Sequence, residues 1–89
     1  MKESRRVPIT VPELGSDRAT FSLWHVRVGD RVTEGDRIAE VLIPGAVFDV
    51  SAPATGVLAE RQAQPNDPLS TGQVLGEIEE GERPVSAGR

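Results

Sequence analysis

The chain repeats itself. A shift of 37 positions carries the stretch from Val28 to Val41 onto the stretch from Pro65 to Ile78. Asp30 then falls on Asp67, Val32 on Leu69, Gly35 on Gly72, Ile38 on Leu75, Glu40 on Glu77 and Val41 on Ile78. Gly29 falls on Asn66, the other residue type that tolerates a left-handed backbone. Each copy reads as a turn, a short apolar pair, a glycine turn and an alternating strand. Two copies imply two similar half-domains related by an approximate two-fold axis. Each half alone would leave an apolar face in water, so the halves must pack face to face.

The rest of the chain agrees with an all-β reading. At 89 residues it is one small domain, which buries roughly 60–65% of its extended-state surface, so the turns must be well made. Its aromatic residues are Phe21, Trp24 and Phe48 alone, which leaves Val, Ile and Leu to build the core and suits strands. Glycines and prolines, 9 and 7 in number, fall every few residues and would break any helix that began. The β-rich runs are Val7–Val11, Thr20–Val28, Arg37–Ile43, Ala46–Ser51, Val57–Gln62 and Gln73–Glu79. Residues 1–6 read as a disordered basic tail, 7–79 as the folded domain, and 80–89 as a linker or frayed C-terminus.

Several function classes are disfavoured. There is no cysteine, hence no disulfide, thiol chemistry or cysteine-ligated metal. No apolar run is long enough to cross a membrane and no signal pattern opens the chain, so a soluble cytoplasmic protein is expected. A net charge of −4 with dispersed acids argues against nucleic acid as the partner. His25, expected on a strand, has no Ser, Cys or second His to work with and reads as a surface or core-edge imidazole. Asp30, Asp36 and Asp67 lack the spacing of a calcium loop and read as turn residues bonding local backbone. Gly29, Gly35, Gly56 and Gly72 read as turn glycines, since no helix follows any of them to make a phosphate site. The acids from Glu77 to Glu80 read as a solvated strand end. No acid–base pair, nucleophile or metal set emerges, so neither an enzyme active site nor a metal site is expected within these residues.

The ordered set of motifs resembles the lipoyl/biotinyl-attachment domains, and most nearly the lipoyl domains of 2-oxo acid dehydrogenase acyltransferases. The matching pieces are Val11-Pro12-Glu13-Leu14-Gly15, Trp24, Val28-Gly29-Asp30-Arg31-Val32, Gly35-Asp36, Ala39-Glu40-Val41, Ala52-Pro53-Ala54-Thr55-Gly56-Val57 and Gly72 to Glu79. They run from about Val7 to Glu79 in order. The resemblance implies a flattened barrel, a barrel-sandwich hybrid of two four-stranded antiparallel sheets, as the repeat asks independently. It also implies a lysine at the tip of a tight hairpin, acylated by a ligase with lipoate or biotin to make a swinging arm.

Here the resemblance breaks. With Glu40-Val41 and Ala52-Pro53 as anchors and no gap, Gly45 stands at the lysine position and Pro44 at that of its acidic neighbour. Glycine has no side chain to acylate, so no lipoate or biotin is expected at Gly45. The chain's single lysine, Lys2, lies in the expected tail, where a ligase that reads a rigid hairpin would not find it. Pro44-Gly45 suits a type II turn, with Ile43 and Ala46 flanking it. Leu42 and Ile43 replace residues that are usually Glu or Thr in the family, and Leu23 replaces one that is often polar. Together with Val41, Ala46, Val47 and Phe48 the hairpin becomes an apolar run. Either Leu42, Ile43 and Val47 cap the barrel core, or some of them form a surface for a protein partner or for self-association. Two functions follow: a non-carrier binding or structural module related to dehydrogenase-complex components, or an unmodified domain of a larger lipoate-dependent acyltransferase whose carrier lysine lies elsewhere.

Overall fold

The computed structural model describes residues 4–81, with side chains from Arg5 to Glu80. Eight strands follow in chain order: β1 (Ser4–Thr10), β2 (Ala19–Trp24), β3 (Arg31–Val32), β4 (Arg37–Ile43), β5 (Ala46–Ser51), β6 (Gly56–Arg61), β7 (Pro68–Leu69) and β8 (Val74–Gly81). They form two four-stranded antiparallel sheets, ordered β1-β8-β6-β3 and β5-β4-β2-β7. The 37-residue shift carries β2 onto β6, β3 onto β7 and β4 onto β8, so each sheet mixes strands of both halves. This interleaving is how two copies that cannot stand alone cover each other's apolar faces.

The two-fold relation extends to individual hydrogen bonds. The Gly35 N–H donates to the Ala52 carbonyl at 2.9 Å, and the Gly72 N–H to the Val11 carbonyl at 2.8 Å. The Leu58 N–H donates to Asp30 at 2.9 Å, and the Phe21 N–H to Asp67 at 2.9 Å, both to backbone oxygens. The Asp30 carboxylate accepts from the Arg27 N–H and the Asp67 carboxylate from the Gln64 N–H, each at 2.9 Å. Asp36 does the same for Thr33, and its counterpart Gln73 for Ser70, again at 2.9 Å. The three aspartates are thus turn residues, each holding the N–H three positions earlier. Gly29, Gly35 and Gly72 sit at φ +99°, +95° and +85°, and Asn66 at +75°.

Between the sheets lies a core of aliphatic side chains around Phe21, with Ile9, Ile38, Leu58, Leu75, Ile78 and Val41 fully buried. No polar or charged residue is buried among those described. The Trp24 ring packs on Phe21 with centroids 5.2 Å apart and donates its Nε1–H to the Ala63 carbonyl at 2.9 Å.

Several features differ from the sequence reading. Ser4, Arg5 and Arg6 belong to β1 rather than to a tail, in register with Gly81, Glu80 and Glu79 of β8. Glu80 and Gly81 correspondingly continue β8. Glu77 is less a solvated end than expected, since Arg6 reaches it at 3.0 Å. The strand expected over Thr20–Val28 stops at Trp24, where the chain turns to place Arg27 on Asp30, and His25 therefore lies in a bend past the strand. Gly56 is not a turn glycine: it opens β6, where a Cβ would run into the Glu79 carbonyl oxygen. Close backbone approach, rather than backbone conformation, demands glycine there. Residues 1–3 and 82–89, including Lys2, lie outside the described residues.

Candidate functional site

The β4–β5 hairpin is the place to look for chemistry, and its tip consists of Pro44 and Gly45. Ile43 and Ala46 close it as the last cross-strand pair. Gly45 has φ +82°, the value that the third residue of a type II turn requires and that proline at the preceding position favours. Both tip residues are exposed, and a Cβ on Gly45 would meet nothing within 4 Å. Space therefore does not exclude a side chain at this position; the backbone conformation disfavours one. The tip itself offers no nucleophile, acid or base.

The flanking apolar residues divide between core and solvent. Ile43 is half-buried and packs against the core. Leu42 and Val47 face each other across the ladder on the outer side of the sheet, 38% and 58% exposed. Val41 is buried, and Phe48, directly opposite it, is left partly open at the barrel end. Leu23 stands opposite Glu40 on β2, on the same outer face as Leu42, and is also exposed.

Beside this apolar strip lies a charged group that the sequence reading missed. Glu40 and Asp49 are directly opposed across β4 and β5. Like charges in that position repel, and the Arg37 guanidinium and the His25 ring lie against them. His25 Nε2 lies 3.5 Å from a Glu40 oxygen, and Arg37 3.4 Å from an Asp49 oxygen. The ligating atoms of His25, Glu40 and Asp49 all lie within 4.8 Å of one another, around a depression of about 200 Å³ that Arg37 also lines. Arg37 already occupies Asp49, so the group forms an exposed ion-pair network. The signal was available: a hairpin closed by Ile43 and Ala46 sets Glu40 against Asp49 by counting back along both strands.

Two face-packed four-stranded sheets, related by a two-fold axis and carrying one two-residue hairpin, define a barrel of the lipoyl-domain kind. Residues 7–78 match the biotin/lipoyl family model described as "Biotin-requiring enzyme", and the chain belongs to that family. It is 31% identical over 85 residues to the dihydrolipoyllysine-residue succinyltransferase component of the 2-oxoglutarate dehydrogenase complex of Rickettsia conorii, covering 93% of this chain and 22% of that protein. It is 34% identical over 80 residues to the lipoamide acyltransferase component of the branched-chain alpha-keto acid dehydrogenase complex of Bacillus subtilis, covering 86% of this chain and 19% of that one. The chain thus spans about a fifth of the length of these curated relatives. The solution structure of the lipoyl domain of the Azotobacter vinelandii 2-oxoglutarate dehydrogenase complex superposes with a TM-score of 0.69 at 28% identity, over 85% of this chain and 99% of that one. Among the described residues, no helix is long and apolar enough to cross a membrane.

Proposed function

We propose that this domain is a non-carrier member of its family, a binding or structural module associated in the cytoplasm with dehydrogenase-type acyltransfer assemblies. The observation that carries the reading is the Pro44-Gly45 tip, in a chain whose single lysine is Lys2. Lipoate and biotin are attached through an amide to a lysine amine, and the hairpin presents none. The exposed Leu42 and Val47 beside the tip support a role in contact with protein. Relatives named as acyltransferase components of multienzyme complexes supply the setting. A second reading keeps one observation in its favour: the matching stretch is a small part of those relatives, so this domain is then one unmodified unit of a longer acyltransferase.

The test is the intact mass of the protein after co-expression with a lipoate ligase or a biotin ligase. The wild type is expected to keep its unmodified mass with both. A lipoyl or biotinyl adduct on the wild type would overturn the non-carrier reading.

A further inference from the structure

The two sheets each set a pair of acids face to face, and they treat the pair differently. On the β1-β8-β6-β3 sheet Glu60 stands opposite Glu77, and one guanidinium serves both: Arg6 lies 3.0 Å from Glu77 and 4.0 Å from Glu60. On the other sheet Glu40, the repeat counterpart of Glu77, stands opposite Asp49. Here Arg37 meets Asp49 alone, at 3.4 Å, and Glu40 is met by the His25 ring at 3.5 Å. Among the described residues no single cation joins these two carboxylates.

The fold does not require the imidazole. His25 donates its backbone N–H to the Ile38 carbonyl at 2.8 Å, and its repeat counterpart Gln62 donates to Leu75, the counterpart of Ile38, at the same distance. Either side chain suits that backbone bond. What His25 adds is a ring nitrogen that, with one oxygen each from Glu40 and Asp49, completes a set of atoms all within 4.8 Å of one another. The three residues come from separate places, the bend after β2, then β4, then β5, so no spacing motif announces them. With Arg37 they line a depression of about 200 Å³ that is open to water.

We propose that His25, Glu40 and Asp49 bind one divalent transition metal of the zinc class, clipping the end of β2 to both strands of the hairpin. One imidazole and two carboxylates form a donor set that zinc accepts, whereas calcium and magnesium favour oxygen alone. Ligands on a tetrahedral zinc stand about 3.3 Å apart, so His25 and Glu40 are already nearly placed, and the Asp49 carboxylate closes a remaining gap of at most about 1.5 Å. To do so it exchanges Arg37 for the metal. That ion pair is exposed at both ends, 73% and 40%, and holds little free energy in water. The metal in turn answers both facing acids at once, as Arg6 does on the other sheet. The site is independent of the non-carrier reading, since none of its ligands lies at the Pro44-Gly45 tip.

The experiment is a zinc titration of the untagged chain, followed through its imidazole proton resonances by NMR. His25 is the chain's one histidine, so these signals report on this ring alone, and with no cysteine present no thiol competes. Zinc is expected to shift them saturably at one equivalent per chain, and magnesium at the same concentrations to leave them in place. His25→Gln installs the residue type that the repeat carries at position 62, and should keep the wild-type far-ultraviolet circular dichroism. It should lose at least about 10-fold in zinc affinity by calorimetry, since even the outer-shell partners of a metal are worth that much. Arg37→Ala removes the competitor for Asp49 and should tighten binding severalfold. Ring signals that stay still, or that move without saturating below about 1 mM zinc, overturn the proposal. Undiminished affinity in His25→Gln also overturns it, by placing the zinc elsewhere, as does an equal response to magnesium, which would mean attraction by charge alone. If Arg37→Ala binds no more tightly than the wild type, Asp49 is not a ligand and the three-residue site is wrong. Should either variant fail to fold, the wild-type ring signals with zinc and with magnesium decide.

Discussion

At the scale of single residues, the described glycines do different jobs, and substitution separates them. Gly45 has room for a side chain but sits at φ +82°. Gly45→Lys is therefore expected to fold and to lose about 1–2 kcal/mol, the cost of a left-handed backbone for a residue with a Cβ. Pro44 holds the turn in that conformation, so adding Pro44→Asp should recover part of the loss by letting the tip adopt another turn type. Urea unfolding of the single and double variants measures the difference. If restored modification also needs both changes, ligase recognition depends on the turn as well as on the amine. Gly56 is the opposite case: its backbone is unexceptional, but an added methyl meets the Glu79 backbone carbonyl and the Ile78 side chain. Gly56→Ala should cost about 2–4 kcal/mol, in the range of overpacked cores, because a carbonyl within a ladder cannot step aside. Equal losses for Gly45→Lys and Gly56→Ala would contradict this division.

Among the elements, the turns carry the symmetry. Asp30 and Asp67 make the same bond at the same distance in the two halves, both in exposed turns. Asp30→Ala and Asp67→Ala should each cost about 0.5–1.5 kcal/mol, the net value of such a bond, and should agree within error of denaturant unfolding. A twofold or greater difference would mean that the halves are not energetically equivalent. The repeat made these turns legible, since an acid or amide recurs at the position that caps each one. The ends of β1 and β8 were less legible. Arg5 and Arg6 look like a solvated tail until Glu80 and Glu79 are set opposite them, and local sequence contains no sign of that pairing. Exposed pairs of this kind are worth little singly. Arg6→Ala should lower stability by no more than about 1 kcal/mol, since Arg6 and Glu77 both remain accessible to water.

For the molecule as a whole, interleaving the repeats makes one cooperative unit of them. Phe21 and its counterpart Leu58 are both fully buried, in different sheets that share one core. Phe21→Ala should cost about 3–5 kcal/mol and Leu58→Ala about 2–5 kcal/mol, each a large share of the stability of so small a domain. Fluorescence of the single tryptophan, Trp24, and far-ultraviolet circular dichroism should report one coincident transition in both variants. Separate transitions would show the halves unfolding independently. The sequence by itself determined the all-β class, the two-fold arrangement and the Pro-Gly hairpin tip, because those rest on residues whose conformational or patterning demands are local. Tertiary structure decided which side of the hairpin is wet. Leu42 and Ile43 are both apolar, as are Val47 and Phe48, so alternation carries no signal there. Only the packing of Val41 and Ile43 toward the core turns Leu42 and Val47 outward. That β1 and β5 stand at equivalent edges likewise becomes visible only once the sheets place them there, since a strand's exposure as an edge depends on its neighbours in space.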